Sequence, residues 1–96
     1  MLYTLGHSPR QTDLASLLAL LGPQDDVVLY QDGVLAAIKD NSLLTKIYET
    51  SAALWVMGAD VSARGLNGLI DDKIGVIDYM GLVKLTEKHP QQICWW

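Results

Sequence analysis

Cysteine is nearly absent from this chain: one in 96 residues, Cys94, accompanied by only two histidines. A single thiol excludes an intrachain disulfide, and this set offers no metal-ligand spacing. No cofactor or metal is therefore expected. Bases are scarce too, seven against eleven acids, for a net charge of −4. They are scattered, and only Lys84 and Lys88 share a helix face. Nucleic-acid binding draws its affinity from clustered Lys and Arg, so the chain is a poor nucleic-acid binder on its own. Phosphate-binding loops are also missing. No GxGxxG follows the first apolar run, and no GxxxxGK[ST] occurs anywhere, which removes the usual chemistry of a nucleotide fold. No apolar run reaches the roughly 18 residues of a membrane span. The opening "MLYTLGHSPR" has neither the basic start nor the apolar stretch of a signal peptide. The expectation is a cytoplasmic protein.

What the chain does have is apolar residues: 50% are hydrophobic and 19% charged. Residues 1–96 make one small domain, which buries roughly 60% of its unfolded surface. Surplus apolar residues in so small a body lie on its surface, where contiguous patches mark interfaces. Composition thus favours an oligomer or a subunit of a complex.

Strand and helix patterns alternate along the sequence. "LYTL" is an apolar run stopped by Gly6 and Pro9. Leu14, Leu17, Leu18 and Leu21 recur at helical spacing, with Thr12 or Asp13 as cap and Gly22-Pro23 as stop. "VVLY" (27–30) reads as a buried strand ending at Gln31-Asp32-Gly33. Two short helical segments follow, around 34–38 and from Asn41 or Ser42. "ALWVM" (53–57) is a third strand, with a helical turn near 60–64. "IGVI" (74–77) is a fourth, and Asp78 caps a helix whose Tyr79, Leu82, Val83 and Thr86 share a face. Lys84, Lys88 and His89 lie in or near its last turn, where they suit the macrodipole, and Pro90 ends it. Residues 92–95 either add an edge strand or hang free. Near-continuous apolar strands alternating with helices predict a small three-layer α/β domain with a mainly parallel sheet.

Such folds place their sites beyond the carboxyl ends of the strands. His7 and Asp32 fall there and can approach one another, but turn and cap roles are the simpler reading. Asp60 and Arg64 suit a surface ion pair at i, i+4. The Asp25-Asp26 and Asp71-Asp72 pairs read as solvated turns. Cys94, between Ile93 and Trp95, has no adjacent cation or helix N-terminus to stabilise a thiolate. An inert thiol is the better reading. A mobile thiol reaching into another protein is the other. Trp95 and Trp96 are candidate docking residues, since aromatic anchors are enriched at interfaces. Equally, they can cover this domain's own sheet edge.

Taken in order, "MLYTL", "HSP", "LYQDGVLAAI", "ARGL", "IDYMGLVKLTEKHPQQ" and a terminal tryptophan resemble the TusB family, the DsrH-like subunits of the bacterial TusBCD sulfur-relay complex. The resemblance runs nearly end to end. It implies a DsrE/DsrF/DsrH-like fold and assembly with TusC-like and TusD-like subunits in a heterohexamer, two copies of each. It also implies a relay in which persulfide sulfur passes from TusA through the complex to TusE. The MnmA enzyme then uses that sulfur for 2-thiolation of the tRNA wobble uridine. In TusD-like subunits a reactive cysteine follows the third strand, shortly before an Arg-Gly pair. Counting back from Arg64-Gly65 in "VMGADVSARGL", Met57 falls at that place, and a thioether forms no persulfide.

The expectation is a noncatalytic subunit with no direct tRNA binding. Cys94 departs from the family pattern, which has no functional cysteine there. A sulfurtransferase subunit carrying persulfide on Cys94 is therefore the alternative, as TusE-like carriers use a cysteine near the C-terminus. A free-standing small-ligand module is a third reading, weakened by the missing phosphate loops.

Overall fold

"LYTL" and "ALWVM" form strands at the positions their apolar content predicts. In the computed structural model, which describes residues 1–95, they are β1 (Leu2–Leu5) and β3 (Ala53–Met57). The chain runs β1, α1 (Leu14–Leu20), β2 (Asp26–Leu29), a 3₁₀ segment (Gln31–Ala37), α2 (Ser42–Glu49), β3, α3 (Gly58–Ala63), β4 (Gly75–Ile77), α4 (Tyr79–Lys88) and β5 (Gln92–Trp95). All four strand pairings are parallel, in the order β4-β3-β2-β1-β5. Residues 92–95 thus add an edge strand beside β1, with Leu2 opposite Gln92 and Thr4 opposite Cys94.

Alternation along the strands splits the core in two. Tyr3, Leu5, Val27, Leu29, Leu54 and Val56 face α1, α2, α3 and the 3₁₀ segment. Leu2 and Val28 face α4, packing on Leu85 with Trp55, Met57, Ile77 and Leu82 around them. The three layers are therefore uneven, with one helix alone covering the second face. Side-chain caps start three of the helices: Asp13 accepts from the Ser16 amide, Asn41 from Leu43 and Asp78 from Gly81, satisfying amides a helix start leaves open.

Glycine is required where the 3₁₀ segment meets β1. A Cβ on Gly33 would lie 2.1 Å from the Leu5 carbonyl oxygen. Gln31, two residues before, turns the chain with a φ of 49°, a conformation side chains rarely adopt. The "QDGV" stretch is thus a tight corner pressed against the end of β1.

His89 stands at the end of α4, as its place near the last turn predicts, and is buried there. Two expectations are corrected. Asp26 is not in a solvated turn: it begins β2, is 2% exposed and is bonded by that His89. Tyr79 is not part of a packed face; it is 71% exposed, because α4 turns Leu82 and Leu85 to the sheet instead.

Candidate functional site

The carboxyl ends of β1 to β4 gather most of the residues singled out from the sequence. Asp32, in the corner after β2, accepts from Arg64 Nε at 3.1 Å and Nη2 at 3.0 Å. The same guanidinium reaches Asp60 across one helical turn at 3.7 Å. Arg64 therefore ties the corner after β2 to α3. Its carboxylate partner Asp32 is well exposed, so solvent screens the pair and it contributes little stability. His7 is half-buried just past β1.

Cys94 lies exposed on β5. Its sulfur is 3.6 Å from the Tyr30 hydroxyl, a meeting the sequence did not announce because the two are far apart in the chain. The Tyr30 ring rests on Gly6, and this carries its hydroxyl across the end of β1 towards β5. The bond with Cys94 raises the Tyr30 phenol above its ordinary value, with burial and the electrostatic effect of the neighbouring Cys94 adding to it. No signal in the sequence pairs these residues; only the strand order β2-β1-β5 does.

Trp95 packs within its own domain. Its ring meets Tyr3 edge-on, with centroids 6.2 Å apart, and its indole N–H donates to the Asp13 carbonyl at 3.1 Å. Trp96 lies outside the described residues.

Met57 ends β3 and lies between two hollows. One, about 250 Å³, is bounded by Thr4, Tyr30, Asp60 and Leu82. The other is an open groove of about 580 Å³ that runs past Gly58 to Val76, Asp78 and Tyr79. The thioether is thus half-buried where strand-end chemistry would occur, with no proton to lose and no capacity to accept sulfane sulfur. Among the described residues, no group of three or more His, Cys, Asp or Glu side chains is arranged to hold a metal ion. No helix among them is long and apolar enough to cross a membrane.

A second polar cluster lies at the opposite, amino end of the sheet. The Asp26 carboxylate accepts from His89 Nε2 at 2.6 Å, Lys88 Nζ at 2.9 Å and Trp55 Nε1 at 2.9 Å. Burial works to raise this carboxyl. Its bonds from His89, Trp55 and Lys88, with the Lys88 charge, outweigh burial and hold it below its ordinary value. The Trp55 ring reaches Asp26 by lying across Gly75, where a Cβ would stand 2.3 Å from a ring carbon. The cluster fastens α4 to β2 and β3, and none of its groups faces the hollows beside Met57.

A five-stranded parallel sheet with helices on both faces is shared with solved structures. The ychN protein of E. coli superposes with a TM-score of 0.79 over 98% of this chain and 97% of that one, at 14% identity. Protein Tm0979 of Thermotoga maritima gives 0.68 over 95% and 97%, at 22% identity. These likenesses establish the fold. The model of the DsrH-like protein family matches residues 7–92, and the chain belongs to that family. Proteins named TusB from Photorhabdus laumondii and Yersinia pestis are each 46% identical over 95 residues, covering 99% of this chain and all of theirs.

Proposed function

We propose that this chain is a noncatalytic subunit of a TusBCD-type sulfur relay, one that completes the assembly and shapes its docking surfaces. In this reading it assembles with TusC-like and TusD-like chains as a heterohexamer in the cytoplasm. That assembly passes persulfide sulfur from a TusA-like carrier to a TusE-like one, for 2-thiolation of the tRNA wobble uridine. The observation that carries the noncatalytic part is Met57. It occupies the end of β3, beside both hollows, and its thioether has no way to form a persulfide. Near-complete alignment with proteins named TusB supports the choice of complex.

The experiment has two parts. The chain is co-expressed with TusC-like and TusD-like proteins from its own genome, one of them tagged. The expected result is co-purification of three chain types in one particle of hexamer mass. In a strain lacking this chain, 2-thiouridine in tRNA is then read by mass spectrometry and should return on complementation. A chain that ignores both partners, or a deletion that leaves thiolation intact, would overturn the reading.

A different reading places persulfide on Cys94, which is exposed at the sheet edge with its sulfur near the Tyr30 hydroxyl. Cys94→Ser decides between them, as set out below.

A further inference from the structure

The second face of the sheet is covered by α4 alone, and α4 is held unevenly along its length. Towards its end, Leu85 is buried, and Lys88 Nζ and His89 Nε2 both bond the buried Asp26 carboxylate. Gln92 Nε2 also donates to the Thr86 carbonyl at 3.5 Å. At its start, Met80 is 59% exposed and Tyr79 more so, while Leu82 and Val83 are half-buried. The Asp78 cap bonds the Gly81 amide of its own turn rather than the sheet. Among the described residues, no side chain of residues 79–84 makes a hydrogen bond or ion pair to a strand.

Two further features weaken the start. Gly81 is among the poorest helix formers, yet it is needed there, because a Cβ would stand 2.8 Å from the Ile77 Cβ. Leu82 borders the hollow of about 250 Å³ that it shares with Thr4, Val28 and Met57. Part of its surface therefore lacks packing partners. Segments poor in buried apolar contact open at lower free energy than the fold as a whole.

We infer that residues 79–84 of α4 form a lid, which unwinds locally while Leu85 to His89 stay clamped to β2. Met57 lines both the hollow beside Leu82 and the groove beside Tyr79, so opening joins the two into one crevice. That crevice lies at the carboxyl ends of β3 and β4, where the connections part: α3 packs on one face of the sheet and α4 on the other. Open parallel sheets hold their ligands at such a parting. The crevice also reaches Tyr30, whose hydroxyl meets the Cys94 sulfur. The lid is a property of this chain alone and stands apart from the subunit reading.

Residue-resolved hydrogen exchange on the full chain tests it, with circular dichroism confirming the fold of each variant. The amides of Leu82, Val83 and Lys84 should exchange at least about tenfold faster than those of Lys88 and His89. Low urea should barely change the first set and should speed the second, because a local opening exposes little surface. Lys88→Met removes a bond to Asp26 that is present with the lid open or shut. It should speed exchange at residues 88 and 89 and leave 82–84 as in the wild type. Leu82→Phe, reaching further into the hollow, should slow exchange at 82–84. Equal protection along α4, or urea dependence at 82–84 that matches global unfolding, overturns the lid. A Lys88→Met chain that speeds both sets alike overturns the clamp, and an unchanged rate in Leu82→Phe overturns the hollow's part in the opening.

Discussion

His89 Nε2 lies 2.6 Å from Asp26 Oδ2, between two side chains that are among the most buried in the protein. An ionised carboxylate has no proton to give, so the imidazole must donate. Lys88 Nζ shares the same oxygen and Trp55 Nε1 takes the other. The end of α4 is thereby held to the start of β2 by direction as well as by burial.

Asp26→Ala should destabilise the fold by about 3 kcal/mol, because it leaves buried donors without their acceptor. Urea denaturation of the assembled complex or of the folded chain measures the loss. Asp26→Leu combined with His89→Leu should recover most of it, since well-packed apolar residues can replace a buried pair. A double variant as unstable as the sum of its singles would show that the two residues act independently.

Acid should weaken the fold through the same group. The Asp26 carboxyl is depressed in the native state, so as pH falls the unfolded chain takes up its proton first. Its contribution is therefore complete above the unfolded carboxylate range, about pH 4. It fades as pH drops through the lower native value. Asp26→Asn should flatten the acid limb of a stability-against-pH curve relative to wild type, while leaving other acids to act as before. Parallel curves from both proteins would contradict the assignment.

Gly33→Ala should cost roughly 3 kcal/mol, the upper end of the overpacking range. The added methyl would meet the Leu5 carbonyl at 2.1 Å, and backbone on both sides leaves nothing flexible to give way. Thermal melting reads it. An unshifted midpoint would mean that the corner can open without loss.

Trp95→Ala should lower stability by about 2 kcal/mol, less than a fully buried tryptophan would cost. It removes the edge-on contact with Tyr3 and the bond to the Asp13 carbonyl. Trp95→Phe should retain the ring contact and recover part of the loss. If both variants melt as wild type, Trp95 contributes through a partner rather than within its own chain.

Cys94→Ser should leave tRNA 2-thiolation close to wild type. Serine keeps the size of the side chain and can still bond the Tyr30 hydroxyl, but it cannot carry sulfane sulfur. Mass spectrometry of tRNA from a complemented deletion strain supplies the readout. Loss of the modification with the complex still assembled would make Cys94 a relay thiol.

Strands and helices were legible where the signal is local. "LYTL" and "ALWVM" gave β1 and β3 at their observed bounds, and the Asp78 cap marked the start of α4. Asp26 was misplaced because an acid beside another acid looks like a turn. What makes its burial tolerable lies at Lys88 and His89, on the far side of the sequence. Tyr79 was misread for a related reason: helical spacing defines a stripe, but not which of two adjoining stripes meets the sheet. The Tyr30–Cys94 contact was illegible because it depends on β5 lying beside β1. At Met57, by contrast, the spacing to Arg64-Gly65 located the position, and the structure puts it at a strand end between two hollows.

Strand order also shapes how the chain closes. Pairings β1-β2, β2-β3 and β3-β4 each join strands that follow one another in sequence, so each loop that must close is modest. The pairing of β5 with β1 is of another kind, since it brings residues 92–95 back to residues 2–5. Between them α4 carries the polypeptide from one border of the sheet to the other. Closure entropy grows only slowly with loop length once neighbouring contacts exist. Rates nonetheless fall as distant contacts come to dominate. Of the four pairings, then, the one that fastens β5 spans the greatest sequence distance and carries the largest closure cost.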